Sequence, residues 1–231
     1  MGICGTISDS YNKFYGRVYA SIVNNIGIGY TAAMKEHKAE LFAGMTDQQA
    51  QLERPLEIVE VGVGAGMNLK FYPKDSQLTA IDPYPQFEEY LKTSMEKYPL
   101  VNVDNVKFVV GRAEDMSMIP SDSIDAAVCT TVLCNVDDVD KSLSEIKRIL
   151  RPGGKFYYIE HVRGDEGSWV RTFQHIINPV WKRVSDGCNM TRDTGKHIEQ
   201  AGFSHVEQTH FWADTLKTTL VKPHVKGVAT K

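Results

Sequence analysis

The chain has 231 residues, 42% of them hydrophobic and 24% charged, with a formal net charge of -3 and a pI near 6.2. That length suits one large α/β domain or two small ones, and the composition allows a substantial buried core. The slight acidity leaves no basic footprint for nucleic acid, and no run approaches the about 18 apolar residues of a membrane span.

The opening "MGICGT" (1–6) has neither the basic start nor the apolar run of a secretory signal. It matches M-G-x-x-x-[ST], with Gly2 as a myristoylation acceptor and Cys4 as a palmitoylation site. A plain frayed terminus is the alternative. One myristoyl chain holds a membrane only marginally, whereas a second acyl group makes the attachment stable. The apolar stretch "VYASIVNNIGIGY" (18–30) is broken by Asn24, Asn25, Gly27 and Gly29. Cys4, Cys129, Cys134 and Cys188 form no C-x-x-C pair, so neither a metal site nor a disulfide framework is expected. A reducing, cytoplasmic setting fits, with peripheral attachment to an intracellular membrane through acylated Gly2 and Cys4 as the added expectation.

From residue 57 short apolar runs alternate with amphipathic stretches. "EIVEVG" (57–62), "LTAID" (78–82), "VKFVVG" (106–111), "IDAAVCT" (124–130) and "KFYYIEHV" (155–162) read as strands, being short, β-branched or aromatic, and bounded by turn residues. Between them, Phe87, Leu91, Met95 and Tyr98 share one helical face, as do Val139, Leu143, Ile146 and Leu150. The second of these helices has acids at its start and bases at its end, which suits the helix dipole, and "RPGG" (151–154) stops it. This alternation predicts an α/β fold with a mostly parallel sheet. Residues 168–202 read as two or three helices interrupted at Pro179 and Gly187. Two last strands (203–213 and 219–230) are expected to pair as an antiparallel hairpin at the sheet edge, where Pro223 is tolerated. The organisation is therefore one domain over 1–231. Residues 1–50 form a helical, membrane-proximal lid, 51–231 the core, and about 168–202 a helical insert.

"EVGVGAGMNLKFYP" (60–73) places Gly62, Gly64 and Gly66 after the first strand, where open α/β sheets bind ligands. A dinucleotide fingerprint would need glycine at 67, where Met67 stands, and no G-K-[ST] phosphate loop is present. The remaining pattern, E-x-G-x-G-x-G from Glu60, resembles motif I of the class I S-adenosylmethionine (SAM) methyltransferases. That resemblance implies a Rossmann-like methyltransferase fold with a seven-stranded sheet, and SAM as cofactor with S-adenosylhomocysteine as product. Asp82, ending the second strand and followed by Pro83, takes the ribose hydroxyls. "VVGRAEDM" (109–116) lies where the adenine is held. Arg112 replaces the acid of many relatives, leaving Ala113 and Glu114 as the adenine neighbours. "CTTVLCNV" (129–136), with Thr130 and Val132, runs beside the methyl-bearing sulfur. Helices before motif I often close this fold's site, which assigns Tyr11, Tyr15, Tyr19 and Tyr30 to a lid.

Taken together, "EVGVGAGMNLKFYP", "IDPYPQFEEYL", "VCTTVLCNV", "ILRPGGKFYYIEHV", "DGCNMTR" and "VKPHVKGVATK" resemble the animal thiol S-methyltransferases of the methyltransferase-like seven group. The resemblance spans about residues 35–231. It implies methyl transfer from SAM to hydrogen sulfide or alkyl thiols. Those relatives carry a hydrophobic amino-terminal anchor that is not expected here, with the acyl sites as its replacement.

A thiol with a pKa near about 8.5 is already partly ionised at neutral pH, so a dry, well-oriented pocket matters more than a strong base. His161, ending the fifth strand, is a candidate to face the methyl; satisfying backbone groups is its alternative role. Asp186 either orients His161 or caps a helix. Cys134 and Cys188 read as small core residues or as lining for the acceptor pocket. Trp169, Phe173, Trp181 and Asn189 complete that pocket, with core packing as the competing use of the aromatics. Two other functions share every SAM residue: methylation of a phenol, small hydroxyl or quinone carbon, and non-catalytic SAM binding.

Overall fold

The computed structural model describes residues 3–98 and 105–231, with side chains from residue 14 onward. Gly2 lies outside the described residues, as do the side chains of Cys4 and Tyr11. Two helices lead the chain, α1 (Ile3–Ala33) and α2 (Lys35–Leu52). Five strands follow: β1 (Glu57–Val61), β2 (Gln77–Asp82), β3 (Val106–Val110), β4 (Ile124–Thr130) and β5 (Leu150–His161). Helix α3 (Phe87–Lys97) joins β2 to β3, and α4 (Val139–Ile149) joins β4 to β5. After β5 come α5 (Trp169–Val184), α6 (Thr194–Gln200), β6 (His205–Trp212) and β7 (Pro223–Thr230).

The seven strands form one sheet in the order β3-β2-β1-β4-β5-β7-β6, with β7 antiparallel to both its neighbours and the other pairs parallel. Successive strand side chains point to opposite faces, and the core divides accordingly. Val59, Val61, Ala127, Cys129, Phe156 and Tyr158 meet Leu143, Ile146 and Ile198 on one face. Ile58, Ala126, Val128, Tyr157 and Ile159 meet Phe42, Met45 and Leu91 on the other. Asp138 caps α4 by accepting the Lys141 N–H, and Ser168 caps α5 through the Arg171 N–H.

Three details depart from the sequence reading. The final hairpin forms at the sheet edge as expected, but β7 is inserted between β5 and β6, so of these two strands β6 alone is outermost. Pro223 opens β7, where its missing N–H breaks no interior ladder bond. Second, "RPGG" belongs to β5, which pairs at Leu150, shifts register, and resumes at Lys155. Gly153, at φ 79°, absorbs that irregularity. Third, α5 runs through Pro179 rather than breaking there. The residue is exposed, so the carbonyl that loses its partner can turn to water.

Candidate active site

The strand order reverses between β1 and β4, and the loops leaving these strands frame two adjoining cavities of about 180 and 340 Å³. Gly62 (φ 68°), Gly64 (φ 51°) and Gly66 (φ 72°) all take left-handed backbone. A side chain at Gly62 would collide with Val132, whereas the space in front of Gly64 is open within 4 Å. A ligand can therefore lie against the backbone at Gly64.

Asp82 is 4% exposed at the end of β2. Its Oδ2 accepts the Gly64 N–H at 3.0 Å and its Oδ1 the Tyr84 N–H at 3.0 Å. Burial pushes its pKa up to about 6 against those two bonds. An ionised carboxylate has about four acceptor positions, so two remain for a pair of ribose hydroxyls. Ala113, Glu114 and Pro83 line the second cavity. Glu114 also accepts the Asp137 N–H at 2.8 Å, and Arg112 pairs with Asp137 at 2.5 Å, so this acid and base hold the loop before α4.

The opposite end of the first cavity holds a buried charged network around Glu60 and Thr130, both expected there, whose other members Lys38, Asn68 and Tyr72 the sequence did not announce. Lys38, on α2 and 2% exposed, donates to Asn68 Oδ1 at 2.7 Å and Thr31 Oγ1 at 3.2 Å. Asn68 in turn donates to Glu60 Oε1 at 2.7 Å and Thr130 Oγ1 at 3.0 Å, and Tyr72 donates to Glu60 Oε2 at 2.7 Å. Burial lowers Lys38 to about 8, with Glu60 resisting; burial raises Glu60 to about 7, with Tyr72, Asn68 and Lys38 resisting. Two of the three Lys38 N–H bonds have partners here, leaving the third for a ligand carboxylate. These groups fit SAM: an acid for the ribose at one end, an ammonium for the methionine carboxylate at the other, and bare backbone between.

The turn carrying Val132 is itself held by a fully buried acid. Glu160 accepts N–H groups from Val132 (2.9 Å), Leu133 (3.1 Å) and Cys134 (3.3 Å).

Asp186 and His161 do not pair. The Asp186 carboxylate accepts Tyr84 at 2.9 and 3.0 Å and Tyr15 at 3.2 Å, tying the 186–188 turn to α1 and to the loop after β2. Burial, reinforced by Asp186, raises Tyr19 and Tyr84, which keeps both hydroxyls protonated. Nor does Asp186 cap a helix: it sits at φ 50°, beyond the end of α5. His161 instead meets Cys188, with Nε2 to Sγ at 3.0 Å, and its buried Nδ1 has no partner among the described residues. The Trp181 indole donates to the same sulfur at 3.1 Å. Cys134 completes the group, its ligand atom and those of His161 and Cys188 lying within 4.8 Å of one another. No spacing rule in the sequence announces that cluster. Asn189 bridges nearby, its N–H donating to the Cys134 carbonyl at 2.9 Å.

Trp169 and Phe173 are corrected as pocket walls. They are 60% and 48% exposed, stand on the outer face of α5, and line neither cavity. Gln174 turns that helix, with its amide oxygen on the Gly164 N–H and its amide nitrogen on the Val162 and Leu220 carbonyls.

The fold and this paired-end site define a class I SAM-dependent methyltransferase. The family described as "Methyltransferase domain" matches residues 59–158. The [4+2]-cyclase SpnF shares the fold, with a TM-score of 0.62 at 17% identity, covering 84% of this chain and 79% of its own. So does the trans-methyltransferase CalH, whose structure holds SAH, with a TM-score of 0.57 at 18% identity over 83% of this chain and 55% of its own. Thiol S-methyltransferase TMT1A of Homo sapiens is 39% identical over 202 residues, 87% of this chain and 81% of that protein. The chain belongs to the thiol S-methyltransferase family.

Proposed function

We propose that this enzyme transfers the methyl group of SAM to the sulfur of a small thiol, hydrogen sulfide or an alkyl thiol. The observation that carries the acceptor is the 39% identity to a thiol S-methyltransferase across 87% of the chain. The site's chemistry supports it: the tyrosines are held protonated and Asp186 is engaged by their hydroxyls, so no firm base stands ready for a phenol. A thiol needs none, because desolvation and alignment suffice.

Bound SAM supplies an electrophilic methyl on a sulfonium. In this reading Lys38 takes the methionine carboxylate and Asp82 the ribose hydroxyls. Ala113 and Glu114 flank the adenine, while Gly62, Gly64, Thr130 and Val132 shape the space around the sulfonium. His161 is the catalytic group that orients the acceptor sulfur through its buried Nδ1, with Cys188 fixing the other ring nitrogen. Cys134, Trp181 and Asn189 surround that pair. Helices α1 and α2 act as the lid, Tyr19 and Tyr30 contributing to the first cavity's wall.

Peripheral membrane attachment, from the cytoplasmic side, belongs to the same proposal. Among the described residues no helix is long and apolar enough to cross a membrane. Support comes from α5, where Trp169, Phe173, Ile176, Val180 and Val184 are all exposed at helical spacing. Acyl groups on Gly2 and Cys4 would add to it.

The deciding experiment offers hydrogen sulfide, an alkyl thiol, a phenol and a quinol side by side to purified protein with labelled SAM. Selective thioether formation is expected. Methylation of the phenol or quinol alone would replace the acceptor, and SAM binding without any turnover would make the protein a non-catalytic binder.

A further inference from the structure

We propose that Cys134 and Cys188 form a peroxide-sensitive modification site that closes into a disulfide, and that the enzyme's own thiol acceptors reopen it. Formation of the bond is independent of the acceptor reading above; its effect on turnover rests on that reading.

The geometry is assembled from three distant parts of the chain. Cys134 lies in the turn after β4, His161 ends β5, and Cys188 follows α5. Both sulfurs fall within the 4.8 Å cluster, and the two backbones are already joined by the 2.9 Å bond from the Asn189 N–H to the Cys134 carbonyl. Arg192 bonds the Leu133 and Val136 carbonyls, which further straps the two segments together. A disulfide needs its sulfurs at about 2 Å, so side-chain rotation and a small loop adjustment suffice where separate domains would have to move.

The two thiols are unequal. The adjacent Cys134 thiol, then the bonds of His161 and Trp181, hold Cys188 well below the usual thiol range, while the same proximity raises Cys134, whose S–H donates to Asn135 Oδ1 at 2.9 Å. Burial lowers His161, but the bond to Cys188 outweighs it and leaves the ring more basic than usual. Cys188 is therefore the attacking thiolate, because the thiolate and not the thiol is the nucleophile. Cys134 is the resolving thiol.

The chemistry balances with hydrogen peroxide as oxidant. The Cys188 thiolate attacks one peroxide oxygen, forming S–O and breaking O–O, and the departing hydroxide leaves as water with the proton of the His161 imidazolium. The Cys134 sulfur then attacks the sulfenic sulfur, forming S–S and breaking S–O, and the second hydroxide leaves as water with the Cys134 proton. Two electrons pass from the thiols to the peroxide. Two acceptor thiols reverse the change by exchange and depart as their own disulfide. The bond draws together the turn bearing Val132 and the turn bearing Asp186, both of which line the cavities, and takes Cys188 from His161. Cys129, buried elsewhere in the core, is the internal control.

The test treats the full-length protein with graded hydrogen peroxide, maps cysteines by mass spectrometry under alkylation, and assays each sample with an alkyl thiol before and after dithiothreitol. The expected result is a Cys134–Cys188 cross-linked peptide, Cys129 still alkylatable, and an initial rate at least tenfold lower that recovers during the assay as the alkyl thiol exchanges with the bond, and is restored at once by prior dithiothreitol. Cys134→Ser, compared with its own untreated value, should form no cross-link and should lose activity irreversibly as Cys188 over-oxidises. Both thiols remaining alkylatable would overturn the proposal, as would a co-purifying metal ion masking them at one per chain. A cross-link that leaves turnover unchanged would overturn the switch. Protein that never methylates a thiol removes the acceptor reading, yet the peptide map still decides whether the disulfide forms.

Discussion

Replacing Lys38 by Met keeps the length of a side chain that is 2% exposed and removes only its ammonium. Two consequences oppose each other in the ligand-free protein. The depression of Lys38 from 10.5 to about 8 means that folding carries a cost at pH 7 of about 3 kcal/mol, which the substitution relieves. Against this, Thr31 and Asn68 lose a donor, at about 1 kcal/mol each or somewhat more for a charged donor. The net change in stability should stay within about 1 kcal/mol of zero. Ligand binding has no such compensation. A hydrogen bond to a charged group contributes about 1.5–3 kcal/mol, so SAM and S-adenosylhomocysteine should each bind about 10- to 150-fold more weakly. Methylthioadenosine, which lacks the amino-acid end, should bind the variant and the parent alike. Calorimetric titration of the three ligands, with a thermal melt of the apoprotein, checks all of this. Equal weakening of methylthioadenosine, or unchanged S-adenosylhomocysteine affinity, would refute the placement of the methionine carboxylate at Lys38.

The same charges set a pH window. Asp82, at about 6, must be ionised to accept two hydroxyls, so SAM affinity should fall about tenfold per unit below pH 6. It should fall again above about 8 as Lys38 loses its proton. Binding isotherms across pH should show the lower limb vanish in Asp82→Asn and the upper limb vanish in Lys38→Met. Glu60 controls stability with the opposite sign to an ordinary paired acid. Its pKa is raised from 4.5 to about 7, so its contribution is present below pH 4.5 and is lost as pH rises through 7, a change of about 3 kcal/mol. Denaturant titrations of Glu60→Gln should lack that decline; an identical pH slope would sink the assignment. Asp186→Ala unties Tyr15 and Tyr84 from the 186–188 turn and should speed SAM release about 5- to 30-fold, with Tyr84→Phe giving a smaller change. Stopped-flow displacement measures both, and an unaltered off-rate would remove Asp186 from closure.

Local chemistry determined the order of strands and helices and the glycine turn with its acid at the sheet's switch point. Period-2 and helical apolar patterns placed β1 to β5, α3 and α4, because burial on a sheet face or helix stripe imposes those periods directly on the sequence. Gly62, Gly64 and Asp82 were legible because a left-handed turn and a strand-ending acid leave their marks on neighbouring residues. Lys38 was not, since a lysine 24 residues before Gly62 looks like any surface lysine until α2 packs and buries it against Asn68. The insertion of β7 between β5 and β6, and the outward face of Trp169 and Phe173, depend on which partner an amphipathic element meets. Cys134, His161 and Cys188 came together by the same route. Residues in three separate connections share one point only after the sheet brings the ends of β4 and β5 side by side, and no spacing along the chain encodes that distance.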